Sequence, residues 1–159
     1  MNKNQFFIIS DRYFKEFDPE NNLKGNKDEN RPHFYYLKDI ETNMIWAIPM
    51  TTKISKYKEL IEKDTAKYGK CDKAYITTLA DKESVFVIQD IIPVPKEYIE
   101  RAYTKNDIIL ELKNEIDIDT INKMAKKMLA LMKQGKKLFK DQNNAFELRA
   151  RILSKLDKH

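Results

Sequence analysis

The chain has 159 residues, of which 42% are hydrophobic and 35% charged, and it carries a formal net charge of +5 at pH 7. This length and balance predict one folded domain spanning residues 1–159 and exclude a largely disordered chain. The single cysteine, Cys71, excludes an intrachain disulfide and a thiolate metal cluster. Since no apolar run is long enough for a signal peptide or a membrane span, we expect a cytoplasmic protein without a membrane partner.

The segment 5–95 is predicted to be rich in strands. Residues 5–10 form an apolar run that indicates a buried strand, and Asp11 is expected to cap a short helix after it. Aromatic and β-branched runs predict further strands at residues 34–37, 44–50, 74–79 and 84–92. Short polar segments predict hairpin connections at 39–43 and 81–83. Pro93 and Pro95 are expected to end the last strand. This pattern predicts a small, curved antiparallel sheet or an open barrel.

Two stretches interrupt these strands. Residues 18–32 contain prolines, asparagines and few apolar side chains, which indicates a long loop of the kind that is often functional. Residues 51–73 contain seven lysines and one glycine, and we expect them to be part loop and part helix.

The segment 96–157 is predicted to be helical. Residues 96–103 and 106–113 are short helical candidates, and Asp117 or Asp119 is expected to cap a longer helix that begins near Thr120. Apolar residues of that helix fall on one arc of about 120°: Ile121, Met124, Ala125, Met128, Leu131 and Met132. Because they keep helical spacing, the methionines are interpreted as core residues and not as ligands. A last helix is predicted at 145–156, and the fold class is α+β.

The positive charge is concentrated in the last quarter of the chain. Residues 121–159 hold eleven Lys or Arg and three acids, a net of +8, whereas residues 1–120 have a net charge of −3. A local basic field of this kind attracts a polyanion such as RNA. A solvated lysine-rich helix face remains an equal alternative on charge alone.

The composition also excludes several kinds of catalysis. Three glycines leave no phosphate-binding loop and no dinucleotide fingerprint. His33 and His159 are the only histidines, and His159 is the terminal residue, so a two-histidine metal site is not expected. Any catalysis is therefore expected to need no metal and no cofactor. Metal-free RNA cleavage meets these limits, because the 2′-hydroxyl of the RNA is itself the nucleophile.

Two segments resemble the ToxN/AbiQ endoribonuclease toxins, and specifically their CptN branch. Residues 49–57, PMTTKISKY, are similar to the family signature, in which a strand ending in proline leads into paired hydroxyl residues and then lysines. Residues 30–36, NRPHFYY, are similar to the other active-site segment of the family. Residues 7–13 and 91–94 stand where the family has its first and last barrel strands. The chain departs from the usual pattern at Thr52, where the family has Ser, and at His33, where it has Lys.

The resemblance implies both a fold and a function. The fold would be a compact SH3-like barrel of the Kid/MazF/CcdB type with added C-terminal helices. The function would be that of a type III toxin-antitoxin toxin in phage defence, a metal-independent endoribonuclease. It would cleave single-stranded, adenine-rich cellular or phage RNA to 2′,3′-cyclic phosphate and 5′-hydroxyl ends. The antitoxin would be a repeated pseudoknot RNA that the toxin cuts from a precursor and binds in a cyclic protein-RNA assembly.

The same resemblance suggests the catalytic residues, which are Thr51, Thr52, His33, Lys53 and Lys56. Thr52 would orient the scissile phosphate or help to activate the 2′-hydroxyl, and the lysines would stabilise the charge of the phosphate. His33, with an unperturbed pKa of about 6.5, could transfer a proton at cellular pH. Without the resemblance, a threonine pair that caps a turn and ordinary surface lysines would be the simpler interpretation.

Further residues are predicted to contact RNA. Arg31 belongs to the first active-site segment, and Tyr36 and Tyr57 could stack on bases, although core packing is equally plausible for both tyrosines. Phosphate contacts to the antitoxin are assigned to Lys123, Lys126, Lys127, Lys133, Lys137, Arg149 and Arg151.

Two other classes of function fit the sequence. The first is a non-catalytic RNA-binding module that uses the basic C-terminal helix, with Thr52 in a structural role. The second is a protein-binding barrel whose Met- and Leu-rich helices form an oligomer interface.

Overall fold

The structure, a computed structural model, describes residues 1–23 and 30–157. Part of the predicted 18–32 loop, including Gly25 and Asn26, therefore lies outside the described residues, as do Lys158 and His159. Within the described ranges, no helix is both long enough and apolar enough to cross a membrane.

The described residues form nine strands and four α-helices. The strands are β1 (Phe6–Ile9), β2 (Pro32–Lys38), β3 (Ile45–Thr51), β4 (Tyr75–Leu79), β5 (Lys82–Phe86), β6 (Ile92–Val94), β7 (Ile99–Ala102), β8 (Thr104–Lys105) and β9 (Ile108–Ile109). The helices are α1 (Asp11–Phe17), α2 (Ile54–Tyr68), α3 (Glu115–Lys133) and α4 (Ala145–Leu156). Short 3-10 turns occupy Ile88–Asp90 and Lys96–Tyr98.

Seven strands form one curved antiparallel sheet in the order β4-β5-β3-β2-β1-β7, with β6 also paired to β3. The first half of β3 pairs with β6, as in Ala47 opposite Ile92, and its end pairs with β5, as in Thr51 opposite Val85. A register shift between Tyr35 and Leu37 interrupts the pairing of β2 with β3. The curved antiparallel sheet is thus as predicted, but in the described residues it remains open between β4 and β7, and the predicted barrel of the Kid/MazF/CcdB type is not confirmed.

Successive side chains of a strand point to opposite faces of the sheet. In the central strands β1 and β3 the side chains on both faces are buried, apart from the half-buried Thr51 at the end of β3. On one face, Phe34 and Ile48 pack with the apolar side of α3, including Ile121 and Met128. On the other face, side chains such as Tyr35 pack with α1 and α4. Burial on both sides explains why β1 has no polar residue. Met128 and Met132 of α3 are also buried, which confirms that these methionines are core residues.

Several predicted elements were wrong. Segments 96–103 and 106–113 contain no α-helix: after the 3-10 turn Lys96–Tyr98, Ile99–Ala102 pairs with β1, and Asn106 and Asp107 take positive φ angles of 55° and 63° in the β8–β9 turn. The long helix begins at Glu115, and its cap is Asn114, whose Oδ1 accepts a hydrogen bond from the Asp117 amide at 3.0 Å.

Smaller corrections concern caps and prolines. Ser10, and not Asp11, caps α1, because its side chain accepts a hydrogen bond from the Arg12 amide. The predicted 84–92 strand is divided by the 3-10 turn before β6, and Pro93 lies inside β6. The last helix, Ala145–Leu156, has the predicted bounds.

Candidate functional site

A cleft of about 890 Å³ runs along the side of the sheet where β3 ends and α2 begins. We call it the central cleft. It is lined by residues 30–33, 49–57, 79–84 and 89–92, by the β8–β9 hairpin, and by residues 139–148 before and within α4. Phe6, Phe14, Asn22 and Leu23 also line it, so that parts of the chain distant in sequence contribute to one site.

Strand pairing brings the two sequence-predicted active-site segments together in this cleft. His33 in β2 lies opposite Pro49 in β3, so that Arg31 and Thr51 stand at neighbouring strand ends. Arg31 reinforces the contact, since its Nε donates a 2.9 Å hydrogen bond to the carbonyl oxygen of Met50. Predicted site residues that line the cleft are Arg31, His33, Thr51, Thr52, Lys53, Lys56 and Tyr57.

The turn from β3 into α2 presents the hydroxyl and ammonium groups. Thr51 is half-buried, and its Oγ1 accepts a 3.3 Å hydrogen bond from the Lys53 amide. Thr52, Lys53 and Lys56 are exposed, and within residues 1–23 and 30–157 no side chain caps the N-terminus of α2. The first turn of α2 also contains no acid. The Ile54 amide already donates to the Thr52 carbonyl oxygen at 2.8 Å, and among the described residues the amides of Ser55 and Lys56 have no hydrogen-bond partner. These two amides and the positive end potential of the helix suit an anion such as phosphate.

Behind this turn, Arg31, Tyr57 and Asp90 form an electrostatically coupled group. Tyr57 is only 6% exposed, and burial together with the Asp90 carboxylate raises its pKa, while Arg31 opposes the shift. Burial lowers the pKa of Arg31, and Asp90 and Tyr57 partly restore it. At cellular pH, Tyr57 therefore stays protonated and Arg31 stays charged, because both start far from neutrality.

His33 is only 2% exposed, with its ring near that of Phe7. Its Nδ1 lies 3.3 Å from the carbonyl oxygen of Arg31. Burial, and then the neighbouring Arg31 charge, lowers the pKa of His33 to about 3. The expectation of an unperturbed pKa is therefore wrong, and His33 is neutral throughout the cellular pH range.

The described lining of the cleft carries more basic than acidic side chains. The bases are Arg31, Lys53, Lys56, Lys82 and Lys105, and the acids are Asp90 and Asp141. The excess of positive charge favours a polyanionic ligand. Among the described residues, no group of three or more His, Cys, Asp or Glu side chains is placed to hold a metal ion.

No family model matches the sequence, and no curated protein matches it in sequence. A solved structure from work on a processed non-coding RNA that regulates a bacterial antiviral system does match the fold. Its TM-score is 0.64, and the alignment covers 92% of this chain and 95% of the other at 12% sequence identity. That protein is ToxN. The chain resembles ToxN in fold, as the sequence segments predicted.

Unlike the segments that resemble ToxN, the predicted RNA contacts on α3 do not line the central cleft. Lys123 and Lys126 line a second pocket of about 230 Å³, together with Tyr36. Tyr36 is 7% exposed within the core, so its ring is not an open stacking surface. Lys127 pairs with Asp72 at 2.7 Å.

Arg149, which the sequence analysis assigned to the antitoxin as a phosphate contact, is held within the protein by ion pairs. Its guanidinium pairs with Asp39 at 3.0 Å and Glu41 at 3.3 Å, and it lies over the Phe146 ring. With a side-chain exposure of 16%, Arg149 ties the β2–β3 hairpin to α4 and is not available as a phosphate contact. Lys133, Lys137 and Arg151 are exposed.

Sequence reasoning missed several residues that line the cleft. Lys82 and Lys105 reach it from hairpins, and Phe139 reaches it from the connection between α3 and α4. Asp90 could have been found from the sequence, because it directly precedes the 91–94 segment that resembles the family. The others depend on how the hairpins and helices pack, which no local pattern in the sequence indicates.

Proposed function

We propose that the chain is a metal-independent endoribonuclease toxin of the type III toxin-antitoxin class, acting on single-stranded, adenine-rich cellular or phage RNA. The observation that supports it is the convergence, in one basic cleft, of an exposed threonine hydroxyl, two exposed lysines and a half-buried arginine. The fold likeness to ToxN supports the same class.

The scissile phosphate would bind at the start of α2. There the Thr52 hydroxyl and the amides of Ser55 and Lys56 donate hydrogen bonds to its oxygens, and Lys53 and Lys56 neutralise its charge. Charge on these oxygens increases in the transition state, so donors that are already oriented stabilise it more than the ground state. Thr51 holds the turn through its hydrogen bond with the Lys53 amide.

The ribose 2′-hydroxyl of the substrate would attack this phosphate. As the 2′-oxygen bonds to phosphorus it loses its proton, the bond between phosphorus and the 5′-oxygen breaks, and the 5′-oxygen takes up a proton. The products therefore carry a 2′,3′-cyclic phosphate and a 5′-hydroxyl. His33 would position the site in its neutral form, because its ring contacts the carbonyl oxygen of Arg31. The Arg31 side chain in turn donates a hydrogen bond to the Met50 carbonyl oxygen.

The antitoxin would be a repeated pseudoknot RNA that the toxin cuts from its precursor and binds in a cyclic assembly. The exposed residues Lys126, beside the second pocket, and Lys133, Lys137 and Arg151 offer phosphate contacts outside the cleft. Lys123 also lines the second pocket, but its ammonium pairs with Asp119 at 2.9 Å. Lys127 contributes less, because its ammonium already pairs with Asp72.

The test is incubation of the purified protein with an A-rich single-stranded RNA in EDTA, followed by analysis of the product ends. We expect cleavage to cyclic-phosphate and 5′-hydroxyl ends, and no cleavage of the same sequence made as DNA, which lacks the 2′-hydroxyl. RNA that is bound but intact would support the non-catalytic RNA-binding module. Products with 5′-phosphate ends would refute attack by the 2′-hydroxyl.

A further inference from the structure

The connection between α3 and α4 carries an exposed aromatic ring among lysines. Phe139 is 36% exposed and lines the central cleft, whereas its neighbour Leu138 packs against the core. Its exposed sequence neighbours are Lys136, Lys137, Lys140 and Asp141, of which only Asp141 is among the described residues that line the cleft. Phe139 therefore presents an apolar ring to a cleft whose described lining is basic on balance.

The connection is held firmly at both ends. Gly135, with a φ of +75°, ends α3, and its amide donates a 2.9 Å hydrogen bond to the Met132 carbonyl oxygen. The Asn144 side chain caps α4 and also donates to the Met132 carbonyl oxygen at 2.7 Å. The position of the segment relative to α3 and α4 is therefore fixed in the folded protein.

A buried amide also links the connection to the floor of the cleft. Gln142 is 4% exposed, and its Oε1 accepts a 2.8 Å hydrogen bond from the Leu138 amide. Its Nε2 donates to the carbonyl oxygen of Gln89, the residue before Asp90, at 3.3 Å. Gln142 therefore places Phe139 at a defined position relative to the cleft floor.

We propose that Phe139 is a stacking platform for one unpaired base of a single-stranded RNA in the central cleft, whose described lining carries more basic than acidic side chains. This inference rests on the proposed function and adds a binding position away from the scissile phosphate. Aromatic side chains stack on any base, and basic side chains along a groove hold the phosphates of a single strand. An apolar site for a protein partner would not need the excess of basic side chains in the cleft lining.

The test is a binding series with fluorescent 2′-O-methyl RNA, which cannot be cleaved by 2′-hydroxyl attack, in lengths of about 4 and about 12 nucleotides. We expect Phe139→Ala to weaken binding of the longer strand by about 5- to 100-fold, the loss of one stacked base. Phe139→Trp should restore it. Ile40→Ala is the matched control, because Ile40 is 93% exposed and does not line the cleft.

Wild-type affinity of Phe139→Ala for the longer strand would overturn the inference and leave the proposed function standing. An equal loss with Phe139→Ala and Phe139→Trp would also overturn it, since stacking would then not explain the effect. Absence of RNA binding by the wild-type protein would overturn the proposed function itself. Melting temperatures of all variants would identify any that lose affinity through unfolding.

Discussion

At the scale of single residues, Thr52 and His33 differ in how well the sequence predicted them. Thr52 directly follows β3, and a polar residue next to a lysine is expected to be exposed at the end of a strand. In the structure Thr52 is exposed. His33 follows Pro32 at the start of β2, and its pairing opposite Phe7 and Pro49 buries it. Because burial depends on neighbouring strands, the lowered pKa of His33 could not be predicted from the sequence.

The lowered pKa of His33 predicts how stability varies with pH. In the unfolded chain His33 binds a proton below about pH 6.5, whereas in the folded chain it does so only below about 3. Stability therefore falls as pH decreases through this window, by at most about 1.4 kcal/mol per pH unit. Urea denaturation of His33→Phe, which cannot be protonated, should show a smaller loss between pH 6.5 and 4.5. Equal slopes for the variant and the wild type would contradict the burial of a neutral imidazole.

At the scale of elements, strands and helices with strong local patterns were predicted well. The hairpin at 39–43 and the helix Ala145–Leu156 have turn and capping residues at their ends, and both are confirmed. The start of α3 was missed because Asp117 resembles a cap in the sequence. In the structure its carboxylate accepts hydrogen bonds from Tyr75 at 2.6 Å and Thr77 at 2.9 Å, both about forty residues away.

Asp117 is therefore predicted to fasten α3 to β4. Asp117→Ala should lower the free energy of unfolding by about 2–3 kcal/mol, because it leaves two hydroxyls without their charged acceptor. Asp119→Ala is the control, since Asp119 is exposed and its one ion pair in the described part of the chain is with Lys123 on the same helix. That variant should change stability by about 0.5 kcal/mol or less in chemical denaturation. Equal effects of the two substitutions would contradict a fastening role for Asp117.

At the scale of the whole molecule, the sequence predicted which two segments meet but not the rest of the cleft. Segments 30–36 and 49–57 meet because β2 and β3 pair across a short hairpin, the most local contact a sheet can make. Lys82, Lys105 and Phe139 reach the cleft through packing between distant elements. The basic C-terminal quarter was predicted from composition, yet Arg149 is engaged by acids of the β2–β3 hairpin.

The central claim is that the Thr52 hydroxyl, at the start of α2, acts on the scissile phosphate. Single-turnover cleavage of an A-rich RNA tests it most directly, with Thr52→Ala compared with Thr78→Ala, a control at an exposed threonine of β4 outside the cleft. We predict that Thr52→Ala cleaves at least about 100-fold more slowly while its melting temperature is unchanged, and that Thr78→Ala cleaves at the wild-type rate. Cleavage by Thr52→Ala at the wild-type rate would contradict the claim.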